Sequence, residues 1–289
     1  MILPHRGVDW LMTMAALYLV GTPIGNLQDM TLRAIQTLKD VDLIAAEDTR
    51  HTGKLLQQFQ IETPQISYHH HNRHERLGEL LSRLKGGTAI ALVTDAGMPG
   101  ISDPGYELVQ ACAEARIPVI PIPGVSACVT AVSVAGIEGD RFCFEGFLPL
   151  KGKERQQRLE QLQNEPRLLV FYEAPHRLQQ TLEDLQPVLG GDRRVTLGRE
   201  LTKRFEEIWR GTLAEAIAYY QDHDPKGEYT LVISGCSSSS RQLSEAALKS
   251  ELQALMQQGH SRSQASRLLA QSTPFSRRDL YQLALTLTD

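Results

Sequence analysis

Three stretches of small residues each follow a run of β-formers, and they are the first places to look for chemistry. "TDAGMPGISDPGY" (residues 94–106) follows "TAIALV" and carries Gly97, Gly100 and Gly105 with Pro99 and Pro104. A simple turn uses one or two glycines, so this segment is a long, rigid excursion that lets backbone approach a ligand closely. Asp95 and Asp103 add acceptors for hydroxyl or ammonium groups. "VGTPIGN" (20–26) and "PGVSA" (123–127) are two more strand-to-helix junctions, the second with free N–H groups at a helix start. Taken alone, the glycines of "VGTPIGN" would also fit a plain tight turn. Neither Gly-x-Gly-x-x-Gly nor Gly-Lys-Ser/Thr occurs there, which argues against a dinucleotide or P-loop site. Ligands of open α/β sheets bind at the carboxyl ends of strands. Three such junctions in one unit therefore point to one shared ligand that lacks a phosphate.

Charged clusters form a second group. "FYEAPHR" (171–177) ends a strand with Tyr172, Glu173, His176 and Arg177, and "GRELTKRFEE" (198–207) does so with Arg199, Glu200, Lys203 and Arg204. With "AEDTRHTGK" (46–54), which holds Asp48 and Arg50, they would line an inter-domain cleft for a polyanion. Each taken alone reads equally as a solvated strand end. "HHHNRHER" (69–76) offers His69, His70, His71 and His74, but adjacent histidines on a strand face opposite ways and no acidic or cysteine partner has metal spacing. No metal is expected, and a surface touching nucleic acid fits at least as well.

The elements that must position these groups follow from the patterning. From Leu17, short apolar runs alternate with amphipathic segments, the signature of α/β layering. "LYLVG", "VDLIAAE", "TAIALVT" and "IPVIPI" read as buried strands of a mainly parallel sheet, with "MTLRAIQTLKD", "RLGELLSRLK" and "YELVQACAEAR" as helices. Beyond "IPGVSACVTAVSVAG", the strands "RFCFEGFLP", "RLLVFYEAP", "RRVTLGREL" and "EYTLVISG" suggest a mixed second sheet with helices such as "ERQQRLEQLQ". The expected division is an N-terminal extension (1–15), two α/β domains (16–123 and 124–236), a Ser-rich linker, and a helical piece (243–289). That last piece reads as three short helices, slightly basic, either a plain appendage or a helix-turn-helix with "STPFS" as the turn. Residues 1–13 read as a frayed extension or a start-site artefact.

Totals set the bounds. The 289 residues, 42% hydrophobic, can build two cores. A net charge of −4 excludes a strongly basic nucleic-acid wrapper, so any anionic partner is held locally. Cys112, Cys128, Cys143 and Cys236 are far apart, which suggests neither zinc nor disulfides and fits a reducing cytoplasm. No apolar stretch approaches the ~20 residues of a membrane span, and the first residues lack a signal-peptide pattern.

"LYLVGTPIGN", "AAEDTRHTG", "TDAGMPGISDPGY", "PGVSA", "RFCFEGFLP", "FYEAPHR" and "RELTKRFEE", in that order, resemble the small-subunit ribosomal RNA methyltransferases of the tetrapyrrole-methylase-like group. The resemblance runs from about Leu17 to the C-terminus. It implies a two-domain class III methyltransferase fold with a small C-terminal helical appendage, a homodimer, and S-adenosylmethionine bound between the domains. It further implies methylation of the ribose 2′-hydroxyl of cytidine 1402 in 16S rRNA. Carried over by motif, the cofactor contacts are Ile24, Asp95, Ala96, Gly97, Met98, Ile101, Ser126, Ala127 and Tyr172. Met98 is a departure, because related sequences carry Thr there and the broader group carries Asp.

Methyl transfer from a sulfonium to oxygen is an in-line displacement that needs alignment and a route for the hydroxyl proton. The candidate acceptors are Glu173 and Asp48, and the candidate cations Lys203, Arg177 and Arg50. "KGKERQQR" (151–158) and the C-terminal helices are the expected RNA contacts. The rivals are a C-methyltransferase of tetrapyrroles and a non-catalytic ribosome-assembly protein on the same fold.

Overall fold

The computed structural model describes residues 15–236, 245–273 and 275–287. The expected extension, apart from Ala15, lies outside the described residues. So do most of the Ser-rich linker and Pro274 of "STPFS".

The first sheet is parallel throughout, in the order β3-β2-β4-β1-β5. Its strands are β1 (Leu17–Val20), β2 (Leu43–Ala46), β3 (Gln65–Ser67), β4 (Ile90–Val93) and β5 (Val119–Ile122). Between them run α1 (Leu32–Asp40), α2 (Thr49–Gln58), α3 (Arg73–Lys85) and α4 (Tyr106–Glu114). Because side chains alternate along a strand, each strand feeds two cores. Tyr18, Val20, Ile44, Ala46, Ala91 and Val93 pack with α1 and α2, whereas Leu17, Leu43, Ala45, Ile90 and Leu92 pack with α3 and α4. Burial on both faces is why these strands read as continuous apolar runs. The chain leaves β1 toward β2 on one side and leaves β4 toward β5 on the other, so the winding direction changes between the adjacent strands β1 and β4. A crevice opens at the carboxyl ends of strands where the winding reverses in this way.

The second sheet, β6-β7-β10-β8-β9, is mixed: β6 pairs parallel with β7, and all other neighbours are antiparallel. Its strands are β6 (Phe142–Gly146), β7 (Leu168–Glu173), β8 (Arg194–Arg199), β9 (Glu207–Thr212) and β10 (Tyr229–Ile233). Helices α6 (Gly152–Leu162), α7 (Pro175–Leu189) and α8 (Leu213–Asp222) cover one face. The other face packs on α5 (Ala127–Val134), with Leu201 and, from the first domain's opening turn, Ile24. "PGVSA" thus leads out of the first sheet into the helix that lies on the second.

Helices α9 (Glu245–Gln257), α10 (Arg262–Ser272) and α11 (Arg277–Leu285) share one apolar cluster built on Leu248, Leu252, Ala265, Leu269, Leu280 and Ala284. Ser276 caps α11 by accepting the Asp279 N–H at 3.1 Å, and Ser261 with Gln264 forms a capping box on α10. The "KGKERQQR" run is less of a surface than its charge suggested. Arg155 is buried, with its guanidinium on Asp184, Thr181 and the Pro149 carbonyl, and Arg158 pairs with Glu145.

Candidate functional site

Four loops converge where the two sheets meet. The turn after β1 and the long loop after β4 are joined by a two-way bridge, Thr22 N–H to Gly97 O at 2.9 Å and Gly97 N–H to Thr22 O at 3.1 Å. The buried Thr22 hydroxyl also donates to the Thr94 carbonyl at 3.0 Å. "PGVSA" closes on the same turn, since a Cβ placed on Gly21 would lie 2.7 Å from both Gly124 Cα and Met98 Sδ. Two backbones touch here with no room for any side chain. The loop after β8 is the fourth: a Cβ on Gly25 would meet the Lys203 stem at 2.3 Å.

The cavity these loops enclose has a volume of about 250 Å³. Its first wall is Ile24, Ala96, Gly97, Met98, Ile101, Ser102, Asp103, Ser126 and Ala127, mostly backbone and apolar surface. Its second wall comes from the other sheet: Phe147, Tyr172, Glu173, Gly198, Glu200, Leu201, Lys203, Glu228 and Thr230. The Tyr172 hydroxyl accepts the Cys128 N–H at the start of α5 (3.2 Å), and its ring meets Phe144 and Phe147 edge-on. Burial raises the Tyr172 hydroxyl pKa, and the hydrogen bond from the Cys128 N–H offsets part of the rise. Ser102 and Glu200 hold left-handed backbone, with φ of 63° and 49°, and so does Thr202 at 67°. Non-glycine residues in such conformations cost of order 1–3 kcal/mol each and gather where surrounding structure enforces a site.

Eight of the nine residues expected at the cofactor face this cavity; Asp95 is not part of its lining. Asp95 ties loops together from behind, accepting the Asp48 N–H at 3.2 Å, while its own N–H donates to Glu47 at 3.3 Å. Of the five residues expected at the chemistry, only Glu173 and Lys203 line the cavity. Glu173 is buried and fully engaged by the Thr181 hydroxyl (2.6 Å), the Ala174 N–H (2.9 Å) and Arg177 Nε (3.3 Å). Arg177 holds Glu173 and donates to the Leu148 carbonyl. Asp48 caps α2 and takes both arms of Arg50, a side chain 89% exposed, and hydrogen bonds from Arg50 keep the Asp48 carboxyl far below its usual range.

Lys203 donates to Glu200 and Glu228 at 2.8 Å each. Burial lowers its pKa, but the two carboxylates outweigh that and leave it raised. Glu228 had no signal in the sequence, and it reaches the cavity only because β10 runs beside β8. Phe147 lies just past the end of β6, within "RFCFEGFLP", and meets the cavity because β6 runs beside β7, whose end carries Tyr172 and Glu173. Among the lining residues there are four carboxyl side chains, Asp103, Glu173, Glu200 and Glu228, against one cation that two of them already neutralise. That donor set repels a phosphate and suits a ligand with cationic and apolar parts. Near "HHHNRHER", the His69 Nδ1 accepts the Asn72 N–H, and no group of metal-ligating side chains forms among the described residues.

Residues 16–217 match the family of tetrapyrrole (corrin/porphyrin) methylases. A ribosomal RNA small subunit methyltransferase I of Synechocystis sp. is 61% identical over 275 residues, 95% of this chain and 99% of its own. The protein of that name in Escherichia coli O157:H7 is 47% identical, covering 97% of this chain and 98% of its own. A solved uroporphyrin-III C-methyltransferase of Thermus thermophilus, complexed with S-adenosylhomocysteine, superposes with a TM-score of 0.55 at 16% identity, over 75% of this chain and 96% of its own. At that identity the likeness concerns the fold alone. The fold, the placement of the cavity and the near full-length identities agree, and the chain belongs to the tetrapyrrole methylase family and, within it, to the ribosomal RNA small subunit methyltransferases I.

Proposed function

We propose that the protein binds S-adenosylmethionine in the cavity between its sheets and methylates the ribose 2′-hydroxyl of cytidine 1402 in 16S rRNA. Its coarser activity, S-adenosylmethionine-dependent methylation of small-subunit rRNA, follows from the group to which it belongs. The observation that carries the cofactor assignment is the cavity's chemistry: apolar and backbone surface on one side, an excess of carboxylates on the other, and no free cation among the lining residues. When bound, S-adenosylmethionine supplies an electrophilic methyl on a cationic sulfonium.

The residues of this chain then bind and align. Ile24, Ala96, Gly97, Met98, Ile101, Ser126, Ala127 and Tyr172 shape the site, and Asp95 holds the loop that presents four of them. Asp48, Arg50 and Arg177 act as positioning groups, the first two by fixing the start of α2 and the third by fixing Glu173. Lys203 bridges Glu200 and Glu228, so its charge orders the second wall. For the RNA, the exposed Lys151, Lys153, Arg267 and Arg278 are the proposed phosphate contacts. A cytoplasmic homodimer belongs to the same proposal, supported by exposed Val129 and Val134 on α5 and exposed Phe142 at the start of β6. A monomer in sedimentation equilibrium would remove that part.

The test is to incubate the protein with methyl-labelled S-adenosylmethionine and small subunits from cells lacking the modification, then map the labelled nucleotide. Label on the ribose of cytidine 1402 supports the reading. Label elsewhere in the rRNA removes the position, and label only on a tetrapyrrole removes the substrate class.

A further inference from the structure

The proposed reaction leaves one proton without a destination. The hydroxyl that attacks must lose it, and the acceptors suggested by the sequence are occupied or misplaced. Glu173 is surrounded by three donors, and Asp48 is locked to Arg50 outside the cavity. Glu200 and Glu228 share Lys203. Asp103 differs from all of them: it lines the cavity, it is half-buried, and no Lys, Arg or His reaches it as an ion pair among the described residues.

Its setting favours a basic carboxylate. Asp103 follows Ser102, whose left-handed backbone (φ 63°) turns the loop, and precedes the buried Pro104 and Gly105, so its position is fixed from both sides. The groups facing it are Glu47 from the end of β2, Asp95 from the end of β4 and Tyr172 from β7, with the buried Thr94 hydroxyl nearby. His69 and His70 lie close enough to Glu47 to favour its charged form. Burial first, and then the negative fields of Glu47 and Asp95, push the Asp103 carboxyl up to about 7, and Thr94 offsets part of this. A general base works best when its pKa lies near the operating pH.

We propose that Asp103 is the general base of the methyl transfer, taking the proton from the acceptor hydroxyl. As the hydroxyl oxygen forms its bond to the methyl carbon, the O–H proton passes to an Asp103 carboxylate oxygen, and the methyl–sulfur bond breaks with its electron pair going to sulfur. The products are the methyl ether, protonated Asp103 and S-adenosylhomocysteine; solvent then takes the proton. This inference rests on the methyl-transfer reading above.

The experiment compares the full-length wild type with Asp103→Asn on undermethylated small subunits. General-base loss should lower kcat by about 10²–10⁴-fold, while calorimetry finds the S-adenosylmethionine Kd raised by no more than about tenfold, the share owed to the lost negative charge. The wild-type kcat/KM should rise with pH to an inflection near the value of about 7 set by the free protein, and Asp103→Asn should lack it. The kcat inflection should fall lower, because a bound sulfonium favours the anion. A readout free of turnover is infrared titration of the protein without cofactor: a carboxylic-acid band should titrate near 7 in wild type and be missing in Asp103→Asn. An unchanged kcat, a retained inflection, or a cofactor affinity that falls as far as turnover does would each overturn the assignment. Wild-type protein that labels no small subunit defeats the methyl-transfer reading and this one together; equal labelling by wild type and Asp103→Asn defeats this one alone.

Discussion

The two walls of the cavity are built on opposite principles. The wall from the parallel sheet is backbone laid against backbone, with Gly21 on Gly124 and Thr22 bridged to Gly97, and it gives Asp103 no cationic partner among the described residues. The wall from the mixed sheet is side chains whose charges are already spent on one another, Glu173 on Arg177 and Lys203 on Glu200 and Glu228. One wall therefore selects by shape and keeps a reactive group, while the other is an ordered frame. The comparison teaches that a conspicuous cluster of charge in a cleft can be scaffold, with the reactive carboxylate on the quieter side.

If the first wall depends on close approach, a single methyl should break it. Gly124→Ala would place its Cβ 2.8 Å from Gly21 Cα and 2.9 Å from the Gly21 carbonyl carbon, atoms of a backbone that cannot swing aside. Overpacking of this kind costs about 1–3 kcal/mol. We expect the thermal midpoint to fall and S-adenosylmethionine affinity to drop by about 30-fold, or about 2 kcal/mol, in calorimetric titration. An affinity equal to wild type would show that the junction is not part of the site.

The second wall should behave as a frame when one of its charges is removed. Glu173→Gln keeps one oxygen for the Ala174 N–H, puts an amide NH2 where the other oxygen accepts the Thr181 hydroxyl, and gives up the ion pair with Arg177. Arg177 retains its bond to the Leu148 carbonyl, so the expected loss is about 1–2 kcal/mol in urea unfolding. Turnover should stay within about tenfold of wild type. A collapse of kcat with unchanged stability would move Glu173 from frame to chemistry and reverse the comparison.

Asp103 should also leave a mark on stability. Its folded value of about 7 lies above its ordinary 3.8, so between those limits the folded state holds a proton that the unfolded chain has released. With fewer protons bound in the unfolded state, stability falls as pH rises through that window and stays lower above it. Asp103→Asn removes this dependence. The thermal midpoint of the variant relative to wild type should climb from about pH 4 to about pH 7 and then level off; a constant difference would mean the carboxyl is not perturbed by folding. A group kept at a cost to the fold is what a functional role leads one to expect.

How far the sequence made this legible follows from the same division. The first wall was readable because close backbone approach needs glycine at particular positions, and the run from Ala96 to Ile101 writes that need plainly. Strands buried on both faces, such as β2 and β4, were readable as apolar runs. The short strand β3 and the strand β9 had no counterpart in those expectations, since both lie at sheet edges and bury too little to impose alternation. On the second wall the charged residues could be found but their pairings could not, because Lys203 meets Glu228 only through the register of β8 on β10. Asp103 was visible as an acceptor. What marks it out, the company of Glu47 and Asp95 and the absence of a cation, comes from three chain segments and has no local signature.

Met98 offers the finest test, at the point where the resemblance leads one to expect Thr. Its sulfur packs on Gly21, 2.7 Å from where a Cβ would stand, while its carbonyl accepts the Ile101 N–H at 3.3 Å. The backbone thus carries the turn, and the side chain fills the space over the glycine contact. Met98→Thr shortens the side chain and adds a hydroxyl on the cavity face, leaving the Thr22–Gly97 bridge one residue away untouched. If the first wall acts through backbone and shape, S-adenosylmethionine affinity should change by less than about threefold, under about 0.7 kcal/mol. A gain of tenfold or more would mean that a side-chain hydroxyl at this position contacts the cofactor, and the shape-only account of the first wall would then have to include one specific polar contact.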